Sequence, residues 1–525
     1  MFYDEKEIHN MTEIKINIDG YSNRILKKNQ EIWGRSFSDA EMGSRSAFLS
    51  DILTGWSGFL TTTVLYHPTW KFPLWVREQT NPSSPGFIPA GFSWDAGCTF
   101  NQRYRTWTMI GLRNQDEEPI IGLDGEIMPR IDSFSVAFWV FDDSKLLAFG
   151  EEGKINQKLE EGYLPIVNTE WTTQNFLLKS KAYANASDGI DLCFSRTTIL
   201  NKTNKTRNLK LFIVITPWGP DGFHPVFEIE YNKLLNCFIV DNNTGVIFNG
   251  IPESFTCMNY KDGDVCVDAF DGKLSLKEKS HCEVGYCSAA ASYSFTLNPN
   301  QEKFIDFKLP IKKAKLSGDK VNLVKSLSFD KNIAGVTRDW KDFLKQGLMI
   351  KTPDKLVNET YKSALVSLHL LKDGEYTTPG PRLYHLFWIR DAAHQLKALD
   401  MVGFPKDVEE ILEQFKTKQN HEGYFQNTRT DNKDEVFTMV EYDSNGQAIW
   451  AFVEHYKTIR DREWLKGFYP YIKKGAEYIS KLRRITLTNE NKDTLHYGLM
   501  PKAGVQNIPG HMIIFITMIS GDFAG

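Results

Sequence analysis

Arg390 and Asp391 stand side by side at the end of an aromatic run, His385-Leu386-Phe387-Trp388-Ile389, and directly ahead of a periodic apolar stretch from Ala392 to Val402. A guanidinium beside a carboxylate supplies hydrogen-bond donors and acceptors together, and Trp388 adds a flat apolar face. That combination suits a sugar, which carries hydroxyls around its rim and C–H groups on its faces. Asp391 is also placed where a residue can cap the helix that follows, a role worth about 0.5–2 kcal/mol by itself. A second polar segment, Glu441-Tyr442-Asp443-Ser444-Asn445-Gly446-Gln447-Ala448-Ile449-Trp450, again enters an amphipathic stretch. Glu441 and Asp443 are two residues apart, so an extended backbone turns both carboxylates to one side. Helix capping by Asp443 or Ser444 is the simpler alternative there.

Helices must hold both segments. After Lys351 the apolar period changes from two to about 3.6, with Leu356, Ala364, Leu365, Leu368 and Leu371 on one face of a helix that ends at Asp373-Gly374. Further helices are expected at about 391–402, 405–419, 444–459 and 462–483, the second of these opening on Pro405, where proline is tolerated. Upstream, from about residue 14 to 315, short β-branched and aromatic runs such as Leu209–Trp218, Cys237–Val240 and Phe304–Leu309 predict strands. Asp221-Gly222, Asn249-Gly250, Asp262-Gly263 and Asp271-Gly272 supply turn residues between them. The expected fold class is therefore multi-domain α and β. An antiparallel β-sandwich occupies 1–315, a charged linker with a helical end near Thr337–Gly347 occupies 316–350, and a helical domain occupies 351–525.

Trp388-Ile389-Arg390-Asp391-Ala392-Ala393, followed by Ala398-Leu399-Asp400-Met401-Val402-Gly403-Phe404, resembles the W-x-R-D-(A/G) helix and its ALD-x-x-G-(Y/F) ending in bacterial and archaeal glucoamylase-like enzymes. Glu441 to Trp450 is similar to their E-x-D-x-x-G-Q-x-x-W segment, and Tyr497-Gly498-Leu499-Met500-Pro501 to their G-L-(I/L/M)-P loop. The motifs span roughly residues 355 to 510, and the preceding sandwich matches in architecture. The resemblance implies an (α/α)6 toroid, here partial, of the six-hairpin glycosidase type. It implies that Arg390 and Asp391 hold the sugar beside the scissile bond, with Trp388, Glu441 and Asp443 as further substrate-binding residues. The implied reaction is inverting hydrolysis of an α-glucoside, and the implied partner is an oligosaccharide or small glycoside; no cofactor is expected, and no residue is expected as a metal ligand.

Inversion needs a protonated carboxyl at the leaving oxygen and a carboxylate that activates water across the sugar. In the group that the chain resembles, the acid follows the G-L-(I/L/M)-P loop, in an aromatic stretch of the type Y-x-Y-x-Y-x-D-D-F-W, and the base comes later. Here His511 to Gly525 reads otherwise. Permitted codons for that tail, read after dropping two bases, give Tyr-Asp-Tyr-Ile-Tyr-Tyr-Asp-Asp-Phe-Trp. The expectation is a frameshift near Gly510 or His511, a truncated toroid and a chain without turnover, with the catalytic residues unassigned. Two alternatives from other classes stand beside it. A non-enzymatic carbohydrate-binding protein would bind sugar without turnover, and a glycoside phosphorylase of related architecture would require inorganic phosphate.

The bulk sequence narrows the partners. A net charge of -4 over 525 residues provides no basic field for nucleic acid, and no Lys/Arg run forms a lipid-binding patch. The apolar stretch Met512–Ile519 is far shorter than the roughly 20 residues that span a bilayer. The charged start, Met1-Phe2-Tyr3-Asp4-Glu5-Lys6-Glu7, lacks a secretory pattern, so a cytoplasmic location is expected. Cys237, Cys257, Cys266, Cys282 and Cys287 lack metal-ligand spacing and are expected to be buried free thiols.

Overall fold

The structure, a computed structural model, describes residues 107–501 apart from 132, 144, 149–152, 221, 260–263, 283, 284, 286, 383, 384 and 430–440. The sequence features at 511–525, Asp221 and the Asp262-Gly263 turn lie outside the described residues. The described residues divide into two compact units, one of 107–112 with 117–337, the other of 113–116 with 338–501.

The first unit is built around two large antiparallel sheets. At the centre of one, Arg207–Thr216 pairs with Ser135–Asp142 on one side and with Cys287–Leu297 on the other, setting Phe212 opposite both Trp139 and Ser292. From Leu211 to Thr216 every residue is buried, as suits a run of large apolar and β-branched residues in a central strand. In the other sheet, the twelve-residue strands Phe176–Ser187 and Ile190–Asn201 form a hairpin. Its turn, Asp188-Gly189, has positive φ at both residues, the geometry that matches the strand twist. The two sheets contribute to one hydrophobic core, in which Phe138 from one lies 6.2 Å from Phe307 of the other.

The expected runs do form strands, at Arg207–Thr216, Cys237–Val240 and Glu302–Pro310. Asn249-Gly250 is different. Phe248 pairs with Phe307 in one sheet and Ser254 with Ser292 in the other, so the chain changes sheets there instead of folding back. The Asn249 side chain steadies the crossing: its Nδ2 donates to the Lys325 carbonyl at 3.0 Å and its Oδ1 accepts from Lys308 Nζ at 2.6 Å. Cys193, Cys237, Cys257, Cys282 and Cys287 are buried and form no disulfide among the described residues, and burial pushes the Cys237 and Cys257 thiols up to about 11 and about 12.

Residues 316–350 hold two helices, α1 (Gly318–Ser326) and α2 (Phe329–Leu344). The Ser317 side chain caps α1 by accepting from the Lys320 amide. Helix α2 starts well before the expected Thr337, because Ser328 Oγ accepts from the Lys331 amide at its start. Phe329, Val336, Trp340 and Leu344 are buried along it, and the Lys and Asp residues that read as linker form the solvent face.

The second unit contains α3 (Lys355–Leu370), α4 (Ile389–Met401), α5 (Pro405–Thr417), α6 (Asp443–Ile459) and α7 (Arg462–Thr486). Gly403, at φ +91, ends α4 in a conformation that favours glycine, and α5 returns beneath it with Pro405 in its first turn. Helices α4 and α6 run parallel. Going along both, Arg390 meets Asp443, Lys397 Nζ meets Glu454 at 2.6 Å, and the buried Asp400 meets His455 Nδ1 at 2.9 Å. Between the helices Phe387 packs on Phe415, and Phe452 meets Phe415, Phe425 and Phe468, with these ring centroids 5.1–6.0 Å apart. Among the described residues, no helix is long and apolar enough to cross a membrane.

Candidate functional site

The first turns of α4 and α6 form the site. A two-residue ladder, Phe387–Trp388 against Thr428–Arg429, leads into α4, and the Ile389 amide donates to the Asn427 carbonyl at 2.9 Å. Because the ladder runs straight into the helix, α4 begins at Ile389 with Trp388 as its N-cap residue and without a side-chain cap bond. Asp391 therefore lies inside the first turn. It is half-buried, and its side chain makes no hydrogen bond or ion pair among the described residues. Its charge still suits the positive end of the helix, but the capping hydrogen bond that the sequence offered as the alternative role does not form.

Helix α6 departs from its expected start in the same way. Tyr442 is the N-cap residue, Asp443 is the first helical residue, and neither Asp443 nor Ser444 caps. Ser444 and Asn445 face inward. The single Ser444 hydroxyl lies 2.6 Å from the Phe425 carbonyl and 2.8 Å from that of Glu441. Buried Asn445 accepts from the Phe425 amide at 2.9 Å and donates towards the Gly423 carbonyl at 2.8 Å and that of Gly475 at 3.3 Å. These bonds tie the 423–427 segment to α6 and α7. Only glycine fits at 423, where φ is +104 and an added Cβ would sit 2.3 Å from the Lys474 carbonyl oxygen.

Glu441, Asp443 and Arg390 come together. Arg390 Nη1 donates to Glu441 Oε2 and to Asp443 Oδ2, each at 3.0 Å. The Arg390 side chain is 42% exposed against 12% for Glu441 and 22% for Asp443, so the guanidinium reaches outward from a more buried carboxylate pair. Burial works against the Arg390 charge, but the two carboxylates outweigh it and hold its pKa above the ordinary value. Trp388 is buried with its ring centroid 5.8 Å from Arg390 Cζ. Gln447, one turn along α6, donates from Nε2 to Asp443 Oδ2 at 3.0 Å.

All five residues expected at the site thus lie on two adjacent helix starts and the ladder before them: Arg390, Glu441 and Asp443 bond, Trp388 flanks them, and Asp391 stands unbonded beside Arg390. Arg390 Nε and Nη2 make no bonds among the described residues, so both donors and acceptors remain open for a hydroxylated ligand. Sequence reading missed Gln447 and Asn445. The signal for Asn445 was the Asn-Gly pair inside a helix, where both residues are poor formers. Further along the chain, the Tyr497–Pro501 loop is held to the end of α7 by Arg483 Nε, which donates to the Gly498 carbonyl at 2.9 Å.

No family model matches the sequence. An uncharacterized glycosyl hydrolase of Methanocaldococcus jannaschii is 24% identical, the match covering 66% of this chain and 58% of that protein. A bacterial glucoamylase complexed with acarbose has a TM-score of 0.54 at 14% identity, over 72% of this chain and 58% of that one. A candidate kojibiose phosphorylase from the human microbiome gives 0.42 at 10% identity over 69% and 50%, too loose a likeness to carry an argument. The chain spans about 58% of the length of the first two.

Proposed function

Starting from the relation of this chain to the glucoamylase-like glycosidases, we propose that the Arg390 site holds a terminal sugar of an α-glucoside, in an oligosaccharide or a small glycoside, and that the reaction it serves is inverting hydrolysis. The observation that carries this reading is the pairing of Arg390 with Glu441 and Asp443, which leaves Nε, Nη2 and the Asp391 carboxylate open beside Trp388. The parallel pair α4 and α6 with its return helix α5 supports placing these helices in part of an (α/α)6 toroid.

Glu441 and Asp443 are poor candidates for the catalytic pair. Each has an oxygen 3.0 Å from one nitrogen, so those oxygens lie within about 6 Å of each other, short of the roughly 6.5–9.5 Å that leaves room for water in an inverting site. Both carboxylates are accordingly assigned to holding Arg390 and the sugar, and no described residue is assigned as acid or base.

Titration calorimetry with acarbose and maltotriose, run with assays for reducing-sugar release with and without inorganic phosphate, tests this reading. Saturable binding that weakens at least about tenfold in Arg390→Ala is expected, since a charged hydrogen-bonding group is lost. Absence of binding and of release would overturn it. Release that depends on phosphate would replace hydrolysis by phosphorolysis, and binding without release in any extended form of the chain would favour a carbohydrate-binding protein.

A further inference from the structure

We infer that Gln447 is a positioning residue, which fixes the Asp443 carboxylate so that Asp443 and Glu441 together aim Arg390 at the sugar; the inference rests on the sugar-holding role proposed above. Asp443 Oδ2 receives two donors, Arg390 Nη1 and Gln447 Nε2, both at 3.0 Å. With Oδ2 held from two directions, rotation of the carboxylate is restricted and Oδ1 keeps one orientation. Gln447 achieves this from the next turn of α6, because residues four apart share a helix face.

The cost of this arrangement is visible in the same side chain. Gln447 Oε1 is buried without a hydrogen-bond partner among the described residues. An apolar residue would fill the position without leaving an unsatisfied acceptor, so packing alone does not account for an amide there. The one hydrogen bond of this side chain among the described residues is the bond to Asp443.

Substitution by glutamate gives the distinguishing test. Protonated, the introduced carboxyl can donate to Asp443 Oδ2 as the amide does; ionised, it sets another negative charge against Asp443 and competes for Arg390. Maltotriose affinity would be measured by calorimetry for the unaltered chain, Gln447→Leu and Gln447→Glu between pH 5 and pH 8, with thermal melting of each. Gln447→Leu is expected to weaken binding on the order of tenfold at every pH. Gln447→Glu is expected to bind nearly as the unaltered chain at pH 5 and to fall behind it as pH rises. Binding of Gln447→Leu equal to that of the unaltered chain, or a Gln447→Glu ratio that does not change with pH, would overturn the inference and leave the sugar site intact. An unaltered chain that binds no maltotriose would overturn the sugar site, and the inference with it.

Discussion

Arg390 acts through two different sets of atoms. Nη1 is committed to Glu441 and Asp443, while Nε and Nη2 remain open, so the fork geometry of guanidinium matters as well as its charge. Arg390→Lys keeps the charge but provides one nitrogen for both tasks, and its affinity for maltotriose should fall about tenfold or more, as calorimetry would show. Asp391 separates the two meanings that the sequence left open. Without a cap bond to lose, Asp391→Asn should shift stability by less than about 0.5–1 kcal/mol, the range of a charge near a helix N-terminus. If Asp391 accepts sugar hydroxyls, the same variant should still bind several-fold more weakly, because an amide replaces a charged acceptor. A melting loss of about 2 kcal/mol with unchanged binding would return Asp391 to a purely structural role. The types of these residues were readable in the sequence. Their partners were not, since Arg390 and Asp443 lie 53 positions apart and meet only through the packing of α4 on α6.

The helices themselves were largely legible. Four expected at 391–402, 405–419, 444–459 and 462–483 appear at Ile389–Met401, Pro405–Thr417, Asp443–Ile459 and Arg462–Thr486. Clear apolar periods, Pro405 at a start and Gly403 at an end explain why. The starts of α4 and α6 were misplaced because Asp391 and Asp443 have the chemistry of caps, while tertiary bonds settle the backbone one or two residues earlier. Helix α1 and the first half of α2 were hidden by their charged faces, since a stripe as sparse as Phe329, Val336 and Trp340 reads as a linker until its partners are known. Asn445 shows what sequence cannot supply: a polar residue whose value depends on three backbone groups from two distant segments. Asn445→Ala should destabilise the helical unit by about 2–3 kcal/mol, since it leaves buried groups at Phe425, Gly423 and Gly475 unpaired. Chemical denaturation would measure that loss, and a change below about 0.5 kcal/mol would show that the 423–427 segment holds without it.

At the scale of the whole molecule, the two units should respond to pH in opposite ranges. In the helical unit His369 is buried, in contact with the rings of Phe343 and Phe404, and burial, reinforced by Arg113 and Lys372, pushes its pKa down to about 4. The unfolded chain takes up that proton near pH 6.5 and the folded one only near pH 4. Stability present above pH 6.5 is therefore lost as pH falls between those values, by up to about 3 kcal/mol. In the sheet unit Lys308 is fully buried, held by Asn249 and lowered to about 8 by its burial. There the folded state gives up its proton first, so the cost of burying the charge is full below pH 8 and relieved as pH rises towards 10.5, again by about 3 kcal/mol at most. Hydrogen exchange followed separately in α3 to α7 and in the paired strands can resolve the two effects. The acid loss should flatten in His369→Gln and the alkaline gain in Lys308→Met, each in its own unit. Slopes that the variants leave unchanged would assign the pH response to other groups and show that neither buried base governs the stability of its surroundings.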